Sequence, residues 1–359
     1  ETAVAVQDGL ARMEEEVGHL VEVTTHLWRA DFSNVTPRSA AEREAHRRSI
    51  LSGSEPLWAD IAASLDEPRE LRDDLWPYLV RVEGPTYIPV VAGPGEGKTT
   101  FLKRVAYDLW RAGKPVYLAS ARGSAGEGIV EGLRSLVRQV SETVWVLVDD
   151  MDALEGAAYA ACLSALAEAR KPCCLVGTMN RGRWVERRLL HSAQINIVRR
   201  PGLHTGPYEL RLGPGEVRRF VNAVAQVGLY KPGIAPLPPP ENDSLLGFLT
   251  LLVRGEKLAA RVHRQLTELS PTEVPIVRVL AVCHRLGVGL SPDVLERLAP
   301  GAEAAIPGLV AKGIVRQTMD WCSLAHTAMA LVAMECLFRG DEDLIRTVGE
   351  LLSKAGPAH

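Results

Sequence analysis

One stretch constrains this chain more than any other. Ala92-Gly93-Pro94-Gly95-Glu96-Gly97-Lys98-Thr99, with Thr100 behind it, lies between the apolar run TYIPVVA and the amphipathic segment FLKRVAYDLWRAGK. Glycines at alternate positions permit the positive backbone angles that let a loop wrap with its N–H groups inward. A helix starting where such a loop ends directs its positive pole at the same point. The pattern matches the phosphate-gripping P-loop, the Walker A sequence, except that Ala92 stands where a first glycine is usual. Lys98 is then expected to reach the β- and γ-phosphates of ATP or ADP, and the Thr99 hydroxyl to bind Mg²⁺. A Gly-rich turn of purely structural use leaves the Gly-Lys-Thr triplet unexplained.

A second apolar run, Val144-Trp145-Val146-Leu147-Val148, ends in Asp149 and Asp150, with Asp152 just beyond. A strand buried on both faces has no solvent for a charge until its carboxyl end, which in an open α/β sheet is where ligands sit. Asp149 is therefore expected to hold Mg²⁺ with Thr99, the Walker B role. Asp150 or Asp152 is placed to orient the attacking water, or else caps the next helix. No Glu follows Asp149, which points to slow, regulated hydrolysis. A third run, Leu175-Val176-Gly177, leads to Thr178, Asn180 and Arg181, at another strand end where polar groups can distinguish ATP from ADP. Arg183, Arg187 and Arg188 follow as a solvated basic helix face or as further phosphate sensors.

Strand, loop, helix and strand repeat from Thr86 to about residue 200, the rhythm of a parallel sheet covered on both faces. The expected fold is α/β: a P-loop NTPase parallel-sheet domain followed by a helical subdomain and a winged-helix domain. The boundaries are an N-terminal helical or linker region over 1–45, the α/β domain over 46–200 with a last strand at 208–213, a helical lid over 201–270, a winged helix over 271–340, and a C-terminal helix or tail over 341–359. Leu10, Met13, Val17, Leu20 and Val21 carry the helical spacing of the first region. A Pro- and Gly-rich loop, GLYKPGIAPLPPPEND, interrupts the lid.

A length of 359 residues asks for at least two packed units. Its net charge of −3 argues against a globally basic nucleic-acid binder. No apolar run is long enough to span a bilayer and no signal peptide is recognisable, so a cytoplasmic protein without membrane contact is expected. The six cysteines show no CxxC spacing and read as reduced core thiols. The chain begins at Glu1 without methionine, which suggests a piece of a longer protein.

Together, the AGPGEGKTT loop, the VLVDDMD and LVGTMNR strand ends, the helical subdomain and the winged-helix outline resemble the STAND class of signal-transduction NTPases, in particular bacterial members found in antiphage defence. A lead-in, Ser54-Glu55-Pro56-Leu57-Trp58-Ala59-Asp60-Ile61 and then Glu67-Pro68-Arg69-Glu70-Leu71, is similar to segments before the Walker A strand in those proteins. The resemblance covers about residues 50–340. It implies a switch: ADP holds a closed monomer, exchange for ATP permits self-association, and an effector is activated. Effector and sensor parts are expected outside this chain. It also implies that His326 touches the ADP β-phosphate, although a packed or capping histidine is the competing reading; Gly313 and Trp321 would bracket the wing. Two other functions stay open. A DNA-binding regulator would need a basic recognition helix, but Arg278, Arg285, Arg297, Lys312 and Arg316 are scattered. An AAA+ type motor would normally carry a Glu after Asp149.

Overall fold

The structure, a computed structural model, describes residues 20–24, 27–36, 38–121, 126–187, 196–197, 207–230, 244–254, 258–285, 289–317, 322–324 and 327–355. They fall into two compact units, one within residues 14–255 and one within 256–359. The helix Leu258–Thr267, expected in the lid, groups with the second unit.

The first unit is built on one sheet. In chain order its strands are β1 (Leu20–Thr24), β2 (Leu27–Ala30), β3 (Thr86–Ala92), β4 (Val116–Ser120), β5 (Val144–Asp149), β6 (Cys173–Asn180), β7 (Asn196–Ile197) and β8 (Tyr208–Glu209). They lie in the order β1-β2-β4-β5-β6-β3-β7, with β8 also on β3. From β4 to β8 all pairings are parallel. Between the strands run the helices α1 (Ala40–Leu51), α2 (Trp58–Ala62), α3 (Glu70–Val80), α4 (Lys98–Arg111), α5 (Gly126–Gln139), α6 (Gly156–Ala167) and α7 (Arg181–Arg187).

Strand composition explains the layering. Along β5, Val144, Val146 and Val148 pack with Ile129 and Leu133 of α5, whereas Trp145 and Leu147 pack with Phe101 and Val105 of α4. A strand sandwiched in this way must be apolar at every position, and each side chain fully removed from water contributes roughly 1.5–3 kcal/mol. Charge is thereby pushed to the strand ends. β3 lies between β6 and β7/β8, while the next strand in sequence, β4, is two strands beyond β6. That reversal opens a crevice at the carboxyl ends of β3 and β6, where Ala92 pairs with Asn180.

The expected helix over the first thirty residues is corrected in its described part. Leu20–Thr24 and Leu27–Ala30 form an antiparallel pair, and β2 joins β4 at the sheet edge. Leu20-Val21-Glu22-Val23-Thr24 is rich in β-branched residues, which lose χ1 freedom in a helix but pack well on a pleated edge. Leu10, Met13 and Val17 lie outside the described residues. The charged stretch after Asp31 does become a helix, α1, with Ser39 and Glu42 forming a capping box.

Beyond β8 the first unit adds α8 (Pro214–Gln226) and α9 (Leu245–Arg254), which share an apolar core of Val217, Phe220, Val224, Phe248 and Leu252. Most of the Pro-rich loop between them lies outside the described residues. The second unit carries α10 (Leu258–Thr267), α11 (Glu273–Arg285), α12 (Pro292–Leu298), α13 (Ala302–Ala311), the hairpin β9 (Val315–Gln317) and β10 (Cys322–Leu324), α14 (Thr327–Leu337) and α15 (Asp341–Ala355). Its core gathers Ile276, Leu280, Leu295, Ile306, Leu309 and Leu324. Leu290 forms one further bridge to Cys322. His326, Trp321 and Arg188 lie outside the described residues. Among the described residues no helix is long and apolar enough to cross a membrane.

Candidate functional site

Every group at the crevice is placed by where a strand runs out. β3 ends at the buried Ala92, residues 93–97 turn, and α4 begins at Lys98 with Thr99 and Thr100 in its first turn. Gly95 and Gly97 have φ of +76° and +82°, angles at which a Cβ is strained. Pro94 leads into that bend. The Glu96 carboxylate folds back to accept the Gly93 N–H at 2.6 Å, so the loop is braced by its own side chain.

Around the loop the polar side chains form two hydrogen-bonded sets. Lys98 Nζ donates to Gly93 O at 3.5 Å and to Asn180 Oδ1 at 3.2 Å. Asn180 Nδ2 donates to Asp152 Oδ2 at 2.6 Å. Thr99 Oγ1 donates to Asp149 Oδ2 at 2.6 Å, and Thr178 Oγ1 to Asp149 Oδ1 at 2.5 Å. The Asp150 N–H donates in turn to Thr178 Oγ1 at 3.0 Å. Asp150 sits at φ +50°, a left-handed conformation that Asp tolerates better than most residues. It turns the chain sharply into the 3₁₀ turn Met151–Ala153 that carries Asp152.

Burial raises the pKa of Asp149, and the neighbouring Asp150 charge raises it further; hydrogen bonds from Thr178 and Thr99 and the Lys98 charge pull the other way. A carboxylate whose ionised form is disfavoured by its surroundings is primed for a cation. The residues fit Mg²⁺ on that ground: a hydroxyl and a carboxylate meet at the loop, the oxygen set that Mg²⁺ takes alongside phosphate. They fit a phosphate chain as well, because the loop, the start of α4 and Lys98 present donors together. Around the loop, Asp152 Oδ1, Arg69 Nη2 and Arg181 Nε are buried without a hydrogen-bond partner, and Asp152 Oδ1 is an acceptor left open beside Lys98 and Asn180.

Of the residues expected at the site, Lys98, Asn180 and Asp152 are brought into one set and Thr99, Asp149, Thr178 and Asp150 into another beside it. Arg181 is not. Its guanidinium is drawn to Glu96 at 3.3 Å and to Glu209 of β8 at 3.9 Å, because two carboxylates there offer it compensation. Arg183 stands exposed on α7. His326 lies outside the described residues, so the site as described is made by the first unit alone.

Sequence reading missed the outer grip on the loop. Arg69, buried at the start of α3, donates from Nη1 to Glu96 O at 2.6 Å, and the Leu246 N–H at the start of α9 donates to Gly95 O at 2.9 Å. Arg69 stood within the quoted lead-in, but nothing in its neighbourhood signals a partner in the loop. The lead-in is also tied to α4: Arg104 pairs with Asp66 and Lys103 Nζ donates to Pro56 O at 3.1 Å.

Residues 48–189 match the family model described as Novel STAND NTPase 5, a span that contains the loop, Asp149 and the end of β6. Solved structures similar to this chain include ORC2 of Aeropyrum pernix in ADPNP–ADP complexes, 13% identical over 86% of this chain and 96% of that one, with a TM-score of 0.35. Others are the Walker-type ATPase PABY2304 of Pyrococcus abyssi (15% identity, 74% and 94% covered, TM-score 0.33) and AMPPCP-bound DnaA from Aquifex aeolicus (15%, 68% and 86%, TM-score 0.33). No curated protein matches the chain. The loop geometry above is that of a P-loop, and residues 48–189 are similar to the STAND NTPases.

Proposed function

We propose that this chain is an ATP-binding, slowly hydrolysing switch whose ADP or ATP state controls self-association and thereby an effector, in bacterial defence or signalling. The observation that carries the reading is the single hydrogen-bonded chain from Lys98 through Asn180 to Asp152, beside the Thr99–Asp149–Thr178 cluster. Bound Mg²⁺·ATP supplies the phosphoanhydride and the metal's charge. Lys98 neutralises the phosphates, Thr99 and Asp149 hold the metal, and Asp152 accepts a proton from water through its unpaired oxygen or orients that water. Asp150, with its backbone bound to Thr178, sets the turn that delivers Asp152. Asn180 reports whether Lys98 is occupied, since it holds both Lys98 and Asp152.

The absence of a Glu beside Asp149 supports slow turnover and a switch over a motor. A DNA-reading role draws less support: in the second unit Lys312 is paired with Glu273 and Arg278 with Asp343, so these cations are already compensated.

The test is to identify the nucleotide retained on purification and to measure molecular mass with ADP and with a non-hydrolysable ATP analogue. A larger assembly with the analogue than with ADP is expected; equal masses would contradict the switch. Titration with duplex DNA over a range of salt addresses the second reading, since phosphate contacts impose a steep salt dependence.

A further inference from the structure

The lead-in and the first turn of α8 are joined by a reciprocal set of bonds, though 147 residues separate Arg69 from Glu216. Arg69 Nε donates to Glu216 Oε1 at 3.1 Å, and the Glu70 N–H donates to the same oxygen at 2.6 Å. Glu216 Oε2 accepts the Gly213 N–H at 3.1 Å, which caps its own helix. Arg219 closes the set, donating to Glu70 Oε1 at 3.2 Å and to Pro68 O at 3.1 Å. The Glu70 carboxylate lies close against the glycines at 213 and 215: a Cβ on Gly213 would meet it at 2.7 Å and one on Gly215 closer still, so either would oblige that side chain to shift. Arg69 and Glu216 are 5% and 1% exposed. Breaking such a pair from one side leaves a buried charge without compensation.

The other arm of the same guanidinium reaches the P-loop at Glu96 O. The described chain has no cis peptide bond, and in a trans peptide the C=O and the following N–H point in opposite directions. Holding the Glu96 carbonyl toward Arg69 therefore turns the Gly97 N–H away from Arg69.

We propose that Arg69 is a positioning residue for the nucleotide: it presets the Glu96–Gly97 peptide for anion binding and, through Glu216, makes the loop's affinity depend on how α8 is seated. This rests on the P-loop reading above and adds the route by which phosphate occupancy is communicated to the lid helices. The planar fork of Arg is what allows one side chain to serve a carboxylate and a carbonyl at once. No contact between Arg69 and the nucleotide is required.

The experiment measures ADP affinity by calorimetry, and hydrogen exchange over residues 214–226 with and without ADP, on the full chain. Arg69→Ala is expected to weaken ADP about tenfold and Glu216→Gln about threefold, and the double variant should be no weaker than Arg69→Ala, as residues on one path are non-additive. ADP should slow exchange in α8 of the wild type and not in that of Arg69→Ala. Arg69→Lys keeps the charge facing Glu216 without a second arm for Glu96 O; it should retain wild-type thermal stability and still bind ADP more weakly. Wild-type affinity in these variants, or ADP protection of α8 that survives Arg69→Ala, would overturn the coupling while leaving nucleotide binding intact. A wild-type chain that binds no ADP would overturn both.

Discussion

Asp149 of the first unit and Asp343 of the second meet opposite fates. Asp149, at the end of β5, has its pKa raised by burial and by Asp150. Asp343, in the first turn of α15, is held down to about 2 by the Arg339 N–H, then by Arg278 and Arg346. Glu273, opening α11, is likewise held low: Lys312 and the Ser270 cap outweigh what burial costs it. Asp343 and Glu273 are each given a cation and a backbone N–H, so their charge stabilises the fold. In the first unit Asp149, Asp150 and Asp152 crowd one strand end, beside a Lys98 that is shared between the loop and Asn180. Folding alone gives no reason for that crowding; the proposed metal and phosphate chain would.

That contrast can be broken most severely at Lys98. Removing its ammonium leaves the carboxylates and phosphates facing each other, so Lys98→Ala should weaken ATP at least about a hundredfold in calorimetry. Asp149→Asn should reduce Mg²⁺-dependent turnover more than nucleotide affinity. Because the Asp149 pKa is raised in the folded state, its ionised form costs stability at neutral pH, and the same variant should melt at or above the wild-type temperature without nucleotide. A large fall in melting temperature would mean that Asp149 is a structural residue like those of the second unit. Asp343→Asn should act in the reverse sense, speeding amide exchange in α15 while leaving ATP binding unchanged. The smallest effect is one of pH. Asp343 titrates below its unfolded value of about 3.9, so its contribution is complete above that value and fades as pH falls toward about 2. Exchange in α15 should rise over that window, and an unchanged rate would remove the assignment.

What the sequence made legible is what local chemistry dictates. The glycines at 95 and 97, Lys98 and Thr99 act within one turn of chain, and the apolar runs of β3, β5 and β6 announce strands buried on both faces. The Asp149–Thr99 pairing was readable because both lie at predictable ends of such elements. Tertiary pairing was not. Apolar spacing at Leu20 and Val21 fits a helix face and a strand equally, and only pairing of β1 with β2, and of β2 with β4 through Trp28 and Leu118, decides it. Nothing near Arg181 in the sequence names Glu209 of β8 as its neighbour. Glu216 carries the local signature of a helix start and nothing that names Arg69 as its partner.

The central claim is that the loop from Gly93 to Thr99 is built to hold a Mg²⁺-bound nucleoside triphosphate. Calorimetric titration of Mg²⁺·ATP into wild-type protein stripped of nucleotide tests it most directly. Saturable binding of a single nucleotide per chain, weakened when Mg²⁺ is chelated, is the predicted result. No heat of binding, together with no protection of residues 93–100 from hydrogen exchange at saturating ATP, would contradict it.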